Sequence, residues 1–234
     1  MTKQDDDGNI AGNLLSEILT SRCVVTSDGR SLPLHSELPA EEGGVLQHWL
    51  CESSATRLLE IGCAYGISSL YICEAISDRD IECYHVIDAY QQQQWCDVGR
   101  RHLQLAGPTE RISFHESLSE QCLPALLTED LHFNFVYVDG WHTFDQVMLE
   151  FFYINRMLEV GGIVVFDDVH LPSIQKVLAC INTYPGYEQV PAPPEVNQTL
   201  RSRVRRAAGV PPIRLQAFRK IEEDVRNWDW FVQF

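Results

Sequence analysis

Beginning near residue 57, short apolar runs of strand length alternate with amphipathic stretches of helical length, an order that commits the chain to a parallel sheet covered by helices on both faces. Arg57–Gly62 reads as the first strand, residues 67–77 as a helix, 82–88 as a strand and 91–106 as a helix. Residues 110–114 give a third strand and 118–127 a further helix. The fourth strand, Phe133–Val138, stops at Asp139. Thr143-Phe144-Asp145-Gln146 then has the Ser/Thr-x-x-Glu/Gln form of a capping box, so the next helix starts near Thr143 and runs to about Leu158, before Gly161-Gly162. Ile163–Phe166 is apolar on both faces, as a central strand of such a sheet must be. Pro172 suits the first turn of the helix that follows.

After Tyr184 the pattern breaks. Pro185, Pro191, Pro193 and Pro194 interrupt any helix, and Arg201, Arg203, Arg205 and Arg206 follow, so residues 185–212 read as a flexible Pro/Arg-rich insert. Leu215–Ile221 reads as a last strand. Residues 1–44 show little periodicity and read as an arm or lid packed on a domain spanning 45–234. There is no internal repeat.

With 45% hydrophobic and 22% charged residues, 234 residues can bury one sizeable core. The formal charge of −15 repels phosphate backbones and anionic lipid, which disfavours nucleic acid and membrane surfaces as partners and leaves a small neutral or cationic ligand. The eight cysteines include no CxxC and no zinc-module spacing, so they read as small core hydrophobes. The first twelve residues lack the basic and apolar blocks of a signal peptide, and no apolar run approaches a membrane span. A cytoplasmic setting is the expectation.

Glu60-x-Gly62-x-x-x-Gly66 lies at a strand-to-helix junction, where backbone passes close to a ligand and a Cβ would obstruct it. Its spacing is not the Gly-x-Gly-x-x-Gly of a dinucleotide turn. Asp88 ends the next strand, placed to accept hydrogen bonds from two ribose hydroxyls, though an Asp there can also cap a helix. From about Glu41 to Phe234 the chain resembles the class I S-adenosylmethionine-dependent methyltransferases, in the ExGxxxG loop, the Asp after the second strand and the element order. The resemblance implies a Rossmann-like, doubly wound, mainly parallel seven-stranded sheet. It implies that Glu60, Gly62 and Gly66 lie along the cofactor and that Ser68 bonds its carboxylate, with a plain first-turn polar residue as the alternative for Ser68. Glu116 and Ser117 fall where the family reads adenine; Ser117 also begins the capping-box pattern Ser117-Leu118-Ser119-Glu120, and His115-Glu116-Ser117 departs from the family's usual Gly-Asp-Ser.

Asp139-Gly140-Trp141-His142 and the pair Asp167-Asp168 close two successive apolar runs. Parallel strands lie roughly 4.8 Å apart, so if the two are neighbours their terminal acids emerge side by side, and such carboxylates repel unless a proton or a cation sits among them. This interval resembles the metal-dependent small-molecule O-methyltransferases, catechol O-methyltransferase among them, and Asp139-Gly-x-His142 is closer still to sugar O-methyltransferases of macrolide biosynthesis. That resemblance implies Mg²⁺ on Asp139, Asp167 and Asp168, with His142 as the base and Asp139 also at the reacting centre. Each residue has a plainer reading: Asp139 as a cap, Asp167 and Asp168 as solvated acids, His142 as a packing residue. His170 is an alternative base, and Trp141 either lines an acceptor pocket or shields the core.

The expected function is methyl transfer from S-adenosylmethionine to a hydroxyl of a small metabolite, assisted by Mg²⁺. The alternatives are metal-independent N- or O-methylation and a catalytically silent cofactor-binding partner protein. The Trp228-Asp229-Trp230-Phe231 segment is apolar enough to seal the core or a homo-oligomer interface.

Overall fold

The computed structural model describes residues 9–194, 204, 205, 207 and 213–234. Helix α1 (Ile10–Ser21) leads into an antiparallel hairpin of β1 (Cys23–Val25) and β2 (Ser31–Pro33), then α2 (Ala40–Ser53). There follow β3 (Arg57–Ile61), α3 (Ile67–Ala75), β4 (Cys83–Ile87), α4 (Gln91–Trp95), α5 (Val98–Ala106), β5 (Ile112–His115), α6 (Ser119–Thr128) and β6 (Phe133–Val138). The chain continues through α7 (Phe144–Met157), β7 (Leu158–Phe166), α8 (Pro172–Ile181), β8 (Tyr187–Val190) and β9 (Gln216–Lys220). Strands β3 to β9 form one seven-stranded sheet in the order β5-β4-β3-β6-β7-β9-β8, with β9 antiparallel to both its neighbours. This is the doubly wound α/β architecture expected.

Alternate side chains of each central strand enter opposite cores, which is why these strands are apolar on both faces. Leu58, Phe135, Tyr137, Ile163 and Val165 join one core with α1, α2, α3 and α5. Leu59, Val136, Val138, Val164 and Phe166 join the other with α6, α7 and α8. Ala11, Leu15 and Ile18 of α1 belong to the first core, and residue 44, where the sequence marked the end of an arm, lies inside α2.

Three local expectations change. The helix read over 91–106 is two helices, because Cys96 and Asp97 take left-handed φ values of 51° and 60°. The insert contains edge strand β8, while Arg201, Arg203 and Arg206 lie outside the described residues. Helix α7 does start after Thr143, but Gln146 donates to Ser119 Oγ at 2.8 Å and Glu120 Oε2 at 3.1 Å instead of closing the capping box; the N-cap of α6 is Leu118, not Ser117.

What positions the site is the crossing at β3. The chain runs outward from β3 through β4 to β5, then returns to lay β6 on the other side of β3, opening a crevice at their carboxyl ends. Gly62 sits there with φ +89°, and a Cβ on it would lie 2.0 Å from the Asp139 carbonyl oxygen. The glycine therefore answers to the protein's own second loop as much as to any ligand. Gly66 (φ +75°) meets Gly99 in the same way, at 3.0 Å. Gly62→Ala is expected to destabilise the fold by about 3 kcal/mol or more, combining left-handed strain with a backbone clash. A lower urea midpoint at unchanged m-value checks this; an unchanged midpoint contradicts it.

Candidate active site

A cavity of about 820 Å³ opens at this crevice, in the range of small-molecule and cofactor sites. Its walls come from the loops after β3, β4, β5 and β6, with Gly62, Asp88, Ser117, Asp139 and His142 among the lining residues. Trp141, 65% exposed, also lines it and so faces the cavity and solvent, not the core. Asp88 is buried and binds the glycine loop: its Oδ2 accepts from the backbone N–H groups of Cys63 (3.0 Å) and Ala64 (2.8 Å) and from Gln91 Nε2 (3.1 Å), and its Oδ1 from Tyr90 N (2.9 Å). A carboxylate held by so many donors is a fixed acceptor at the cavity wall.

Glu60 and Ser68, read from the sequence as cofactor contacts, do not line the cavity. Glu60 is fully buried beneath it and accepts from Ser68 Oγ (2.5 Å), Ser69 Oγ (2.7 Å) and the Tyr84 hydroxyl. Burial pushes its carboxyl up to about 7, even though the three hydroxyls favour the ionised form. Gly66 and Glu116 likewise stand off the cavity. Glu116 pairs with Arg100 (2.6 Å) and caps Gln92 N (3.2 Å), contacts that hold its carboxyl below the usual range.

The acidic residues converge as the register requires. Val138 pairs with Phe166, so Asp139 and Asp167 leave adjacent strand ends, and Asp167 N donates to Val138 O at 3.0 Å. They do not all face the cavity. Asp167 turns inward, accepting from the Tyr137 hydroxyl at 2.8 Å and from Asp168 N at 2.5 Å. Burial, reinforced by the neighbouring Asp139, raises its carboxyl well above the ordinary range. Asp168 adopts φ +51° and swings to the other side, which brings Asp139, His142 and Asp168 together with ligand atoms within 4.8 Å of one another. His142 Nε2 lies 3.4 Å from Asp139 Oδ1 and 3.6 Å from Asp168 Oδ2. The contact with Asp139 raises the imidazole pKa against the opposing effect of burial, while burial raises that of Asp139. Ser173 Oγ donates to His142 O at 2.6 Å and ties this loop to α8. His170 Nδ1 stands 3.6 Å from Asp168 Oδ1.

Two atoms of this group, His142 Nε2 and Asp168 Oδ1, are buried without a hydrogen-bond partner. Orphaned buried polar atoms are costly, and the unbonded His142 Nε2 clustered with the Asp139 and Asp168 carboxylates fits a cation. Mg²⁺ takes oxygen ligands, which Asp139 and Asp168 supply; a set that also counts the imidazole suits Mn²⁺ and its neighbours better.

Sequence reasoning missed Glu150, buried on α7 with its Oε1 accepting from Ser119 Oγ at 2.7 Å and its carboxyl pushed by burial up to about 7. It also missed Arg214, which lies 3.4 Å from Asp168 Oδ1 and is held by Glu42. Burial opposes the charge on this guanidinium, but Glu42, Asp167 and Asp168 together outweigh it and raise its pKa.

Residues 59–169 match a family model described as a methyltransferase domain. Over that stretch the chain is similar to methyltransferase domains, carried on the doubly wound sheet described above. Among solved structures, it is similar to the Streptomyces achromogenes O-methyltransferase TomG, solved in complex with SAM (18% identity, TM-score 0.59, 94% of this chain and 92% of that one). It is also similar to an O-methyltransferase from Bacillus cereus in complex with SAH (16%, TM-score 0.61, 81% and 85%). A third is the SAH-bound methyltransferase PaMTH1 of Podospora anserina (16%, TM-score 0.61, 93% and 89%). At these identities the likeness establishes the fold. No curated protein sequence matches the chain.

The buried carboxyl of Glu60 gives a pH test. Glu60 titrates near 4.5 when exposed and at about 7 here, so the folded state binds the extra proton between those values. Stability should therefore fall as pH rises through that window, by an amount on the order of 3 kcal/mol complete above about pH 7. Urea midpoints at pH 5 and pH 8 should show Glu60→Gln gaining on the native protein as pH rises; a constant offset contradicts the assignment.

Proposed function

We propose that this protein transfers the methyl group of S-adenosylmethionine to a hydroxyl of a small metabolite bearing vicinal oxygens, with a divalent cation on Asp139 and Asp168 and His142 as the base. The carrying observation is the convergence of Asp139, His142 and Asp168, the first two of them on the wall of the same cavity that Gly62 and Asp88 line. The cofactor reading is supported by structural neighbours described as complexes with SAM or SAH, and the oxygen acceptor by those described as O-methyltransferases.

The chemistry follows from the residues. A hydroxyl attacks a sulfonium methyl slowly until its proton is removed, and a cation bound beside it lowers the hydroxyl pKa. His142 Nε2, unbonded within the protein, is free to accept that proton, and Asp139 at 3.4 Å stabilises the resulting imidazolium. The hydrogen bond from Ser173 to the His142 carbonyl holds the base in place while the acceptor enters. Asp88 and the Gly62 backbone flank the nucleoside end, with Ser117 further along the wall. Asp167, turned toward Tyr137, sets the position of Asp168 and does not itself ligate. Mg²⁺ or Mn²⁺ is the expected ion, and the acceptor is a catechol, sugar or polyol.

Metal-free transfer by positioning alone is the second reading. It draws on Arg214, which already places a positive charge beside Asp168.

Consumption of S-adenosylmethionine with a panel of catechols, sugars and polyols tests the proposal. Activity should be lost with chelator and restored by Mg²⁺ or Mn²⁺. Asp168→Ala should lower kcat/KM by about 100-fold or more. His142→Ala should lower kcat by about 10²–10⁴-fold while SAH affinity is retained. Absence of S-adenosylmethionine binding overturns the cofactor reading; full activity in chelator and in Asp168→Ala overturns the metal reading alone.

A further inference from the structure

Arg214 and Glu42 lie outside the matched stretch of residues 59–169, on β9's leading loop and on α2, yet they reach the acidic cluster. Glu42 is 1% exposed, and both of its carboxylate oxygens are engaged by one residue: Oε1 by Arg214 N at 3.1 Å and Oε2 by Arg214 Nε at 2.9 Å. Arg214 Nη2 donates to Glu37 O at 3.3 Å. The Arg214 carbonyl accepts from Val169 N at 2.9 Å, fixing the strand end that bears Asp168. Only Nη1 points to the cluster, 3.4 Å from Asp168 Oδ1, and that oxygen is nonetheless buried without a hydrogen bond. A guanidinium free to choose would close its fork on the carboxylate at 2.7–2.9 Å, roughly the usual charge-assisted distance. This one is withheld.

The geometry points to Arg214 as a restrained counter-cation, a positioning residue held by Glu42 just short of Asp168, which sets how tightly the proposed cation site binds its ion. This rests on the metal reading given above. Near an ion on Asp139 and Asp168, the guanidinium charge lowers affinity. Screened as in bulk water, a unit charge within about 6 Å of a divalent ion changes its affinity about tenfold. Glu42 acts in the opposite sense, because by occupying the Nε edge it keeps the fork from sealing Asp168. The two partners of one ion pair therefore have opposite effects on the same site. A clasp that merely held α2 against β9 would give the same effect whichever partner was removed.

The full chain, with and without SAH, is titrated with Mn²⁺ by calorimetry, and melting curves report the fold. Arg214→Gln should bind Mn²⁺ about tenfold more tightly than the native protein, and Glu42→Gln about tenfold more weakly. Activity assays should show the metal concentration for half-maximal rate moving in the same opposite senses. Shifts in one direction for both variants, or no shift in either, overturn the proposal while leaving the metal site standing. Failure of the native protein and of both variants to bind Mn²⁺ or Mg²⁺ overturns both. If Arg214→Gln does not fold, Glu42→Gln decides alone: affinity equal to or above native overturns the proposal.

Discussion

The approach of the glycine loop to the end of β6 is the constraint on which the rest of the site depends. A sheet that winds outward from β3 and then returns must place the loops after β3 and β6 side by side, and here they touch: Gly62 lies where even a Cβ would overlap the Asp139 carbonyl. The hydrogen bond from Asp139 N to Ile61 O at 2.8 Å carries the ladder past the strand end into that contact. One side of the junction offers the Asp88-anchored glycine loop, the other offers Asp139 and His142. The cavity and the Asp139–His142 loop are thus built by one crossing, so neither can shift without the other.

The second feature is how repulsion among three neighbouring carboxylates is relieved. Asp167 turns inward toward the Tyr137 hydroxyl, where burial and the neighbouring Asp139 favour its protonated form. Asp168 turns outward at the expense of a left-handed backbone, a strain of about 1–3 kcal/mol for a non-glycine residue. Arg214 supplies a fixed positive charge nearby. What remains is the cluster of Asp139, His142 and Asp168, of which Asp139 and His142 line the cavity, a smaller and more specific set than the acidic residues in the sequence.

Much of this was legible in the chain. The runs at 57–62, 133–138 and 163–166 are central strands because a doubly covered sheet needs side chains apolar on both faces, and the acids that follow the last two, Asp139 and Asp167, fall at neighbouring strand ends. Other parts carry no comparable signal. β8 was hidden because Glu188 and Gln189 are exposed on an edge strand, and α2 because Gly43-Gly44 weakens its pattern, although Tyr71 fills the space beside Gly43. The break at Cys96-Asp97 uses left-handed residues that are not glycine. Which of Asp167 and Asp168 joins Asp139 and His142 is set by one φ angle, and alternation cannot reveal it. The same holds for Glu60 and Ser68: their spacing announced a loop, but their side chains satisfy each other below it. Glu42 and Arg214 meet across the whole domain, a pairing no local pattern foretells.

The central claim is that one cavity brings the cofactor methyl against Asp139, His142 and Asp168. The most direct measurement is a crystal structure of the protein with SAH and Mn²⁺, read by anomalous scattering at the manganese edge. The account predicts SAH between the Gly62 loop and Asp88, with an anomalous peak bridging the Asp139 and Asp168 carboxylates. SAH bound away from Asp88 with no peak at those carboxylates would contradict it.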